Sequence, residues 1–167
     1  MVFLDSPMAI RVTEVFKRHP ELFDRETMEL IERGAHACDF PGLQLARSRE
    51  QSKAINRIQG TVCVIAGSGM CTGGRIRHHL LNNVARPEST LLFVGYQAEG
   101  TLGRHLLTRP EEVRILGQNC RVECHIEQIQ GFSGHADQNE LRHWLSGLDR
   151  KPERLLLNHG EASVATG

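Results

Sequence analysis

One stretch restricts the folds open to this chain more than any other. It consists of the apolar, β-branched run Thr61–Ala66, a glycine-rich loop Gly67–Gly74, a helical segment from about Arg75 to Val84, and a second apolar run Thr90–Tyr96. A continuous apolar run bounded by turn residues reads as a strand buried on both faces, as in a parallel sheet. Two such strands joined by a helix make a βαβ unit, which crosses over right-handed. The flanking patterns agree with an α/β fold. Val2–Leu4 reads as a strand, and Ser6 and Pro7 read as N-cap and first residue of a helix with the apolar face Met8, Val12, Val15 and Phe16, ended by His19-Pro20. Asp24 caps a second helix that Gly34 stops, and Arg47–Arg57 reads as a third. Residues 36–45 have no clear period. Thr101 caps a helix carrying Leu102, Leu106 and Leu107, while Glu112–Leu116 and Arg121–Ile129 read as strands. Asp137, with Glu140 three residues on, opens a helix whose Leu141, Trp144, Leu145 and Leu148 follow the spacing of one buried face. Arg154–Leu157 reads as a last strand.

At 167 residues the chain is one domain or two closely packed lobes. Twenty basic and twenty acidic residues cancel, which removes any global electrostatic case for a nucleic-acid partner, so an RNA contact must come from a local patch. Five cysteines without paired spacing argue against a disulfide framework and suit a reducing cytoplasm. Cys120 and Cys124 share a face of one expected strand but lack a second ligand pair for a structural zinc. There is no signal-peptide pattern and no apolar run of about 18 residues, so neither export nor membrane insertion is supported.

Three loops carry candidate chemistry. Four glycines in Gly67–Gly74 let a backbone approach a ligand closely, and the following helix N-terminus offers free N–H groups. Ser68, Thr72, Gly73, Gly74 and Arg75 are its candidate phosphate contacts. The pattern is neither G-x-G-x-x-G nor a P-loop, and a structural tight turn is the plain alternative. Gly95–Arg104 leaves the carboxyl end of the next strand, where α/β sheets commonly bind ligands. There Gln97, Thr101 and Arg104 can hydrogen-bond phosphate or ribose, Glu99 reads as ordering the loop, and simple solvation is the alternative. In GFSGHADQNELRHWL, from Gly131 to Leu145, a small-residue loop brings His135 to the positive end of a helix dipole, where a phosphate near Ser133 and His135 would be favoured. His159 follows the last expected strand and precedes Gly160 and Glu161. Capping or turn roles are the ordinary readings of both histidines.

The runs VFLDSPMA, RSREQSKAIN, VIAGSGMCTGGRIRHHL, LLFVGYQAEGTLGRHLL, GFSGHADQNEL and LNHGE occur in the order seen in β-CASP metallo-β-lactamase RNA-processing nucleases. Nearly the whole chain, from Val2 to Glu161, resembles that family. The GSGMCTGG loop is most similar to bacterial and archaeal relatives of the cleavage and polyadenylation specificity factor nuclease, rather than to ribonuclease J. The resemblance implies a mostly parallel β-CASP sheet flanked by helices over residues 1–118. Residues 119–167 would then be an RNA-specificity segment that begins the return into a metallo-β-lactamase αββα fold. It further implies that His135, matching the motif B histidine, contacts the scissile phosphate as general acid, and that His159, matching motif C, is a zinc ligand. Imidazole chemistry agrees with both roles. A histidine in motif C, where DNA-directed members carry valine, favours single-stranded RNA as partner.

The family's two zinc ions are held largely by an H-x-H-x-D-H motif, which this chain lacks. The chain is therefore expected to be a piece of a larger zinc-dependent ribonuclease, catalytically dead alone and not expected to bind both ions by itself. A non-catalytic RNA-binding or regulatory β-CASP module is the alternative from another class, and a nucleotide-binding α/β domain is a weaker third. A homodimer stays open as a further partner.

Overall fold

The structure is a computed structural model that describes residues 1–35, 38–132, 135–150, 152–156 and 161. Its centre is β1 (Val2–Asp5), whose Phe3, Leu4 and Asp5 are buried. Ser6 then turns the chain into α1 (Pro7–Arg18), its hydroxyl accepting from the Ala9 N–H at 3.3 Å. A 3₁₀ turn, Pro20–Leu22, leads to α2 (Arg25–Glu32), capped by Asp24 and closed by Gly34 at φ +92°. β2 (Leu43–Leu45) forms in the stretch whose sequence has no period, because it pairs in parallel with β1 from Val2↔Leu43 to Leu4↔Leu45. After α3 (Arg49–Ile55), opened by a Ser48/Gln51 capping box, β3 (Cys63–Ala66) adds to the other side of β1. The resulting sheet has the parallel order β2-β1-β3.

α4 (Ile76–Asn83) connects β3 to β4 (Thr90–Val94), and α5 (Leu102–Leu107) follows with the Thr101 hydroxyl accepting from the Arg104 N–H at 3.2 Å. β5 (Glu112–Ile115) and β6 (Gln118–Arg121) form an antiparallel hairpin. β7 (His125–Ile129) pairs in parallel with β4, from Thr90↔His125 to Val94↔Ile129. α6 (Gln138–Ser146) begins at an Asp137/Glu140 capping box, as expected. The α/β class holds, with parallel ladders and helices, and no described helix is long and apolar enough to cross a membrane.

Several expectations need correction. β3 pairs with β1 and β4 pairs with β7, so α4 joins two ladders and does not bridge neighbouring strands of one. β3 is not buried on both faces: it is an edge strand whose Cys63 and Ile65 are exposed. The single strand expected over Arg121–Ile129 is two, split after Arg121, and Cys120 and Cys124 belong to different segments. The hairpin before them turns on Leu116 and Gly117, both at positive φ, and a leucine there gives no turn signal in the sequence. Arg154, Leu155 and Leu156 form no strand. The apolar faces of α1 and α6 are also open: Met8, Val12, Val15, Phe16, Leu141, Trp144 and Leu148 are exposed, with Trp144 at 66%. Amphipathic spacing says that a helix has an apolar face, not which element covers it.

Two cores form. Cys71, Leu80, Val84, Phe93, Leu106, Val113, Ile115 and Ile126 bind the β4–β7 ladder to α4, α5 and β5, while Phe3, Ala46 and Ile55 form a smaller one under β1. Between them lies the Asp5 carboxylate, wholly buried. Ser52 Oγ donates to its Oδ2 at 2.6 Å, His79 Nε2 lies 2.6 Å from the same oxygen, and Arg75 Nη1 donates to Oδ1 at 2.6 Å. Arg75 also donates to the carbonyls of Ala46 at 2.7 Å and Arg47 at 3.1 Å, and His79 Nδ1 is 3.1 Å from Asn56 Oδ1. One carboxylate thus ties β1 to α3, to α4 and to the chain leaving β2.

Burial alone would raise the Asp5 pKa, but the Ser52, His79 and Arg75 contacts outweigh it and hold the carboxyl below its ordinary range. A depressed folded value contributes stability that is complete above the unfolded value near 4 and is lost as pH falls through the folded one. Asp5→Asn is expected to lower unfolding free energy at pH 7 by about 3–5 kcal/mol, because the Arg75 charge loses its partner. Urea titrations should also show a flatter acid limb below about pH 4 in this variant than in the parent.

Candidate functional site

The glycine loop leaves the carboxyl end of β3 and closes tightly on itself. Gly74 has φ +70°, and a Cβ there would lie 2.7 Å from the Gly67 carbonyl oxygen. Only glycine fits that approach. Gly67 in turn packs on the cap of α1, where a Cβ would sit 2.9 Å from Ser6 Oγ. Cys71 lies under the loop, buried at φ +57°, its N–H donating to Ser68 O at 3.0 Å. Burial pushes its thiol up to about 11, so at neutral pH it is a protonated core group. Above it, the Ser68 and Thr72 hydroxyls are 3.2 Å apart. Thr72 and Gly74 are exposed, and Ser68 and Gly73 are half-buried.

The loop between β4 and α5 grips this first loop. Gln97 Nε2 donates to Gly69 O at 3.0 Å and to Tyr96 O at 3.1 Å, and the Gly103 N–H donates to Met70 O at 3.0 Å. Gln97 is only 3% exposed, and its Oε1 is buried without a hydrogen-bond partner. That oxygen lies where a Gly103 side chain would begin, 1.8 Å from an ideal Cβ. The carboxyl ends of β3 and β4 are thereby joined at one edge.

β7 delivers a third loop to the same edge by register. Val94 stands opposite Ile129, Gly95 N–H donates to Ile129 O at 3.2 Å, and Gln128 Nε2 donates to Gly95 O at 3.0 Å. The stretch that carries His135 therefore departs beside the one that carries Tyr96 and Gln97. His135 is exposed, two residues before the Asp137 cap of α6. A fourth segment arrives from the end of the chain: Tyr96 Oη donates to Glu161 Oε1, and Arg104 Nη2 lies 3.8 Å from the same oxygen.

The sequence candidates thus divide. Ser68, Thr72, Gly73 and Gly74 are at the accessible edge of the loop, and Arg104, with 43% of its side chain exposed, is held only loosely, by Gln97 O at 3.4 Å and by Glu161. Two others turn inward. Arg75, expected to add charge at the loop, is 17% exposed and engaged with Asp5 and two carbonyls, and Gln97 is a buried clamp. Thr101 is occupied as a cap, donating to Ala98 O at 2.7 Å and accepting from Arg104 N–H. His79, expected on a polar helix face or beside a phosphate, is buried against Asp5 because its turn of α4 faces β1. Ser133 and His159 lie outside the described residues. Sequence reasoning missed Asp5 and the Tyr96–Glu161 pairing, since both partnerships span more than 40 residues and leave no local spacing to read.

Among the described residues no group of three histidine, cysteine or acidic side chains could hold a metal ion. Cys120 and Cys124 pack against the larger core, and burial raises the Cys124 thiol. The described residues do not by themselves fit a zinc site.

Parallel α/β ladders with small-residue loops gathered at their carboxyl ends define a protein of the ligand-binding α/β class. Comparison makes the class specific: residues 1–106 match the Beta-Casp domain, and residues 119–167 match the Zn-dependent metallo-hydrolase RNA specificity domain. The chain belongs to the β-CASP family of metallo-hydrolases. It is 42% identical over 160 residues to ribonuclease TTHA0252 of Thermus thermophilus, covering 96% of this chain and 36% of that protein. It is also similar to the transcription termination factor FttA of Methanococcus maripaludis, at 36% identity over 171 residues, and of Pyrococcus horikoshii, at 32% over 167. Those alignments cover 97% and 96% of this chain but 26% and 25% of the relatives. The chain thus spans about a third or less of the length of these relatives.

The contact between the two loops predicts a specific coupling. Gly103→Ala should destabilise by about 1–3 kcal/mol through overpacking against Gln97. Adding Gln97→Ala should recover part of that loss, so urea denaturation of the two single variants and the double variant should be clearly non-additive.

Proposed function

We propose that the chain is the RNA-binding and specificity part of a zinc-dependent metallo-β-lactamase-fold ribonuclease that hydrolyses RNA phosphodiester bonds. The observation that carries this reading is the gathering of the glycine loop, the β4–α5 loop, the His135 stretch and Glu161 at one edge of parallel strands. In this reading residues 1–118 form the β-CASP part and residues 119–167 the RNA-specificity part. The accessible loop residues Ser68, Thr72, Gly73 and Gly74, with Ser133, hold the backbone of a single strand. Arg104 supplies the local positive charge that the neutral composition does not. Arg75 and Gln97 act from behind by fixing the loop.

His135 is the group proposed to give a proton to the leaving oxygen, a task suited to an imidazole exposed near a helix N-terminus. His159 is proposed as the one zinc ligand this chain brings. The zinc ions would supply Lewis-acid stabilisation of charge on the phosphoryl group, held mainly by residues other than those described. Five free cysteines suit a reducing, cytoplasmic setting.

Fluorescence anisotropy with a labelled single-stranded RNA tests the RNA reading. Binding should weaken as salt rises, and Arg104→Ala should reduce affinity about ten-fold at low salt through loss of a charged hydrogen bond. Arg25→Ala, at a side chain 94% exposed on α2, should have no effect. Absence of salt-dependent binding, or equal effects of the two substitutions, would falsify the reading. Metal analysis beside a cleavage assay with added zinc separates binding from catalysis. The chain alone is expected to hold well below two zinc ions and to leave the RNA intact, whereas about two ions with cleavage would mean a complete site built from other residues.

A further inference from the structure

Glu161 is the described residue of the segment 157–161, and its carboxylate is engaged from two sides by the β4–α5 loop. Tyr96 stands just past the end of β4 and donates its phenol to Oε1, while Arg104, in the first turn of α5, brings Nη2 to 3.8 Å of the same atom. The Glu161 side chain is 20% exposed although Tyr96 is 57% exposed, so the carboxylate is the more enclosed member of the pair. Sixty-five residues separate Tyr96 from Glu161, which makes this a tertiary contact and not a local turn. A carboxylate sharing a phenol and a guanidinium is held by charge-assisted hydrogen bonding, stronger than between neutral groups. The same loop grips the glycine loop through Gln97 and Gly103. Tyr96 and Gln97, adjacent in the chain, therefore hold opposite sides of the candidate interface.

We propose that Tyr96 and Arg104 are positioning residues that latch Glu161, and through it the candidate ligand His159, onto the β4–α5 loop. Two residues of extended chain reach at most about 7 Å, so a fixed Glu161 limits where the position two residues earlier can lie. The proposal rests on the reading of His159 as the zinc ligand but not on RNA binding. Its elements are the hydrogen bond, the ion pair and the covalent connection.

Tyr96 is the only tyrosine in the chain, so the ultraviolet absorbance of tyrosinate reports its ionisation without assignment. The Glu161 hydrogen bond is the chief influence that raises its pKa, with smaller upward contributions from burial and from the Glu161 and Glu99 charges, and a downward one from Arg104. The parent chain should therefore titrate above the ordinary value of about 10. Glu161→Gln should move the midpoint down, Arg104→Gln should move it up, and Glu99→Gln should move it less than Glu161→Gln does. Loss of fold would return every variant toward the ordinary value, so opposite displacements report the latch itself, with far-ultraviolet circular dichroism recorded at each pH.

The positioning role is read on His159, whose imidazole proton resonance is identified by its disappearance in His159→Ala. It should shift in Tyr96→Phe and Glu161→Gln and stay in place in Glu99→Gln. A tyrosine midpoint unchanged by Glu161→Gln overturns the latch, whatever the RNA measurements give. A tyrosine midpoint that moves with a His159 resonance that does not overturns the positioning role. Failure of RNA binding with both signals as expected overturns the functional reading alone.

Discussion

The Asp5 carboxylate is the interaction on which the rest of the arrangement depends. A charge with no solvent contact is tolerated only where donors surround it, and here a hydroxyl, an imidazole nitrogen and a guanidinium converge on its two oxygens. The donors come from α3, the start of α4 and its second turn, so satisfying one charge aligns three separate segments with β1. Arg75 carries the consequence to the glycine loop, because it is the residue next after Gly74 and is anchored to β1 and to the chain leaving β2. The loop starts at the end of one strand beside Asp5 and finishes at a residue bound to Asp5. Its two ends are fixed by the same buried group.

From that anchor the candidate interface is assembled by loop-to-loop contacts more than by sheet pairing. The β2-β1-β3 and β4-β7 ladders share no strand, yet Gln97 and Gly103 bring their carboxyl ends together through the carbonyls of Gly69 and Met70. Gly103 is a packing glycine: it has ordinary backbone angles, and what excludes a side chain is the Gln97 amide. Gln97 leaves one oxygen without a partner in making this contact, a local cost that the fold accepts at its candidate site. Glu161 then adds the chain's far end to the same edge through Tyr96 and Arg104. A neutral chain thereby gains one local site where an exposed guanidinium, hydroxyls and a glycine backbone lie close together.

What was legible follows how far each signal reaches along the chain. Ser6, Asp24, Thr101 and Asp137 cap the helices expected of them, because a cap is set by three or four consecutive residues. The glycine loop and the β4–α5 loop were both recognisable as ligand-type loops at strand ends. Their mutual grip was not, since Gln97 and Gly69 are 28 residues apart. Charge was misread for the same reason. Arg75 and His79 look like polar surface residues of an exposed helix start, and only the distant Asp5 turns them inward. The hydrophobic faces of α1 and α6 were visible in their spacing, but their exposure depends on what packs against them, which no local period encodes.

The sequence by itself determined the α/β class, the helix starts, the strand-end positions of the loops and, through the ordered β-CASP runs, the family. These are properties of neighbouring residues, where backbone propensity, capping and side-chain period act within a turn or two of chain. Tertiary structure decided which strands pair, which polar residues face outward and which motif reaches which. The parallel pairing of β2, the division into two ladders, the inward turn of Arg75 and the Tyr96–Glu161 contact all belong to this second group. Each depends on satisfying hydrogen bonds and charges between residues far apart in the chain, and such partners are chosen only when the chain is folded around them.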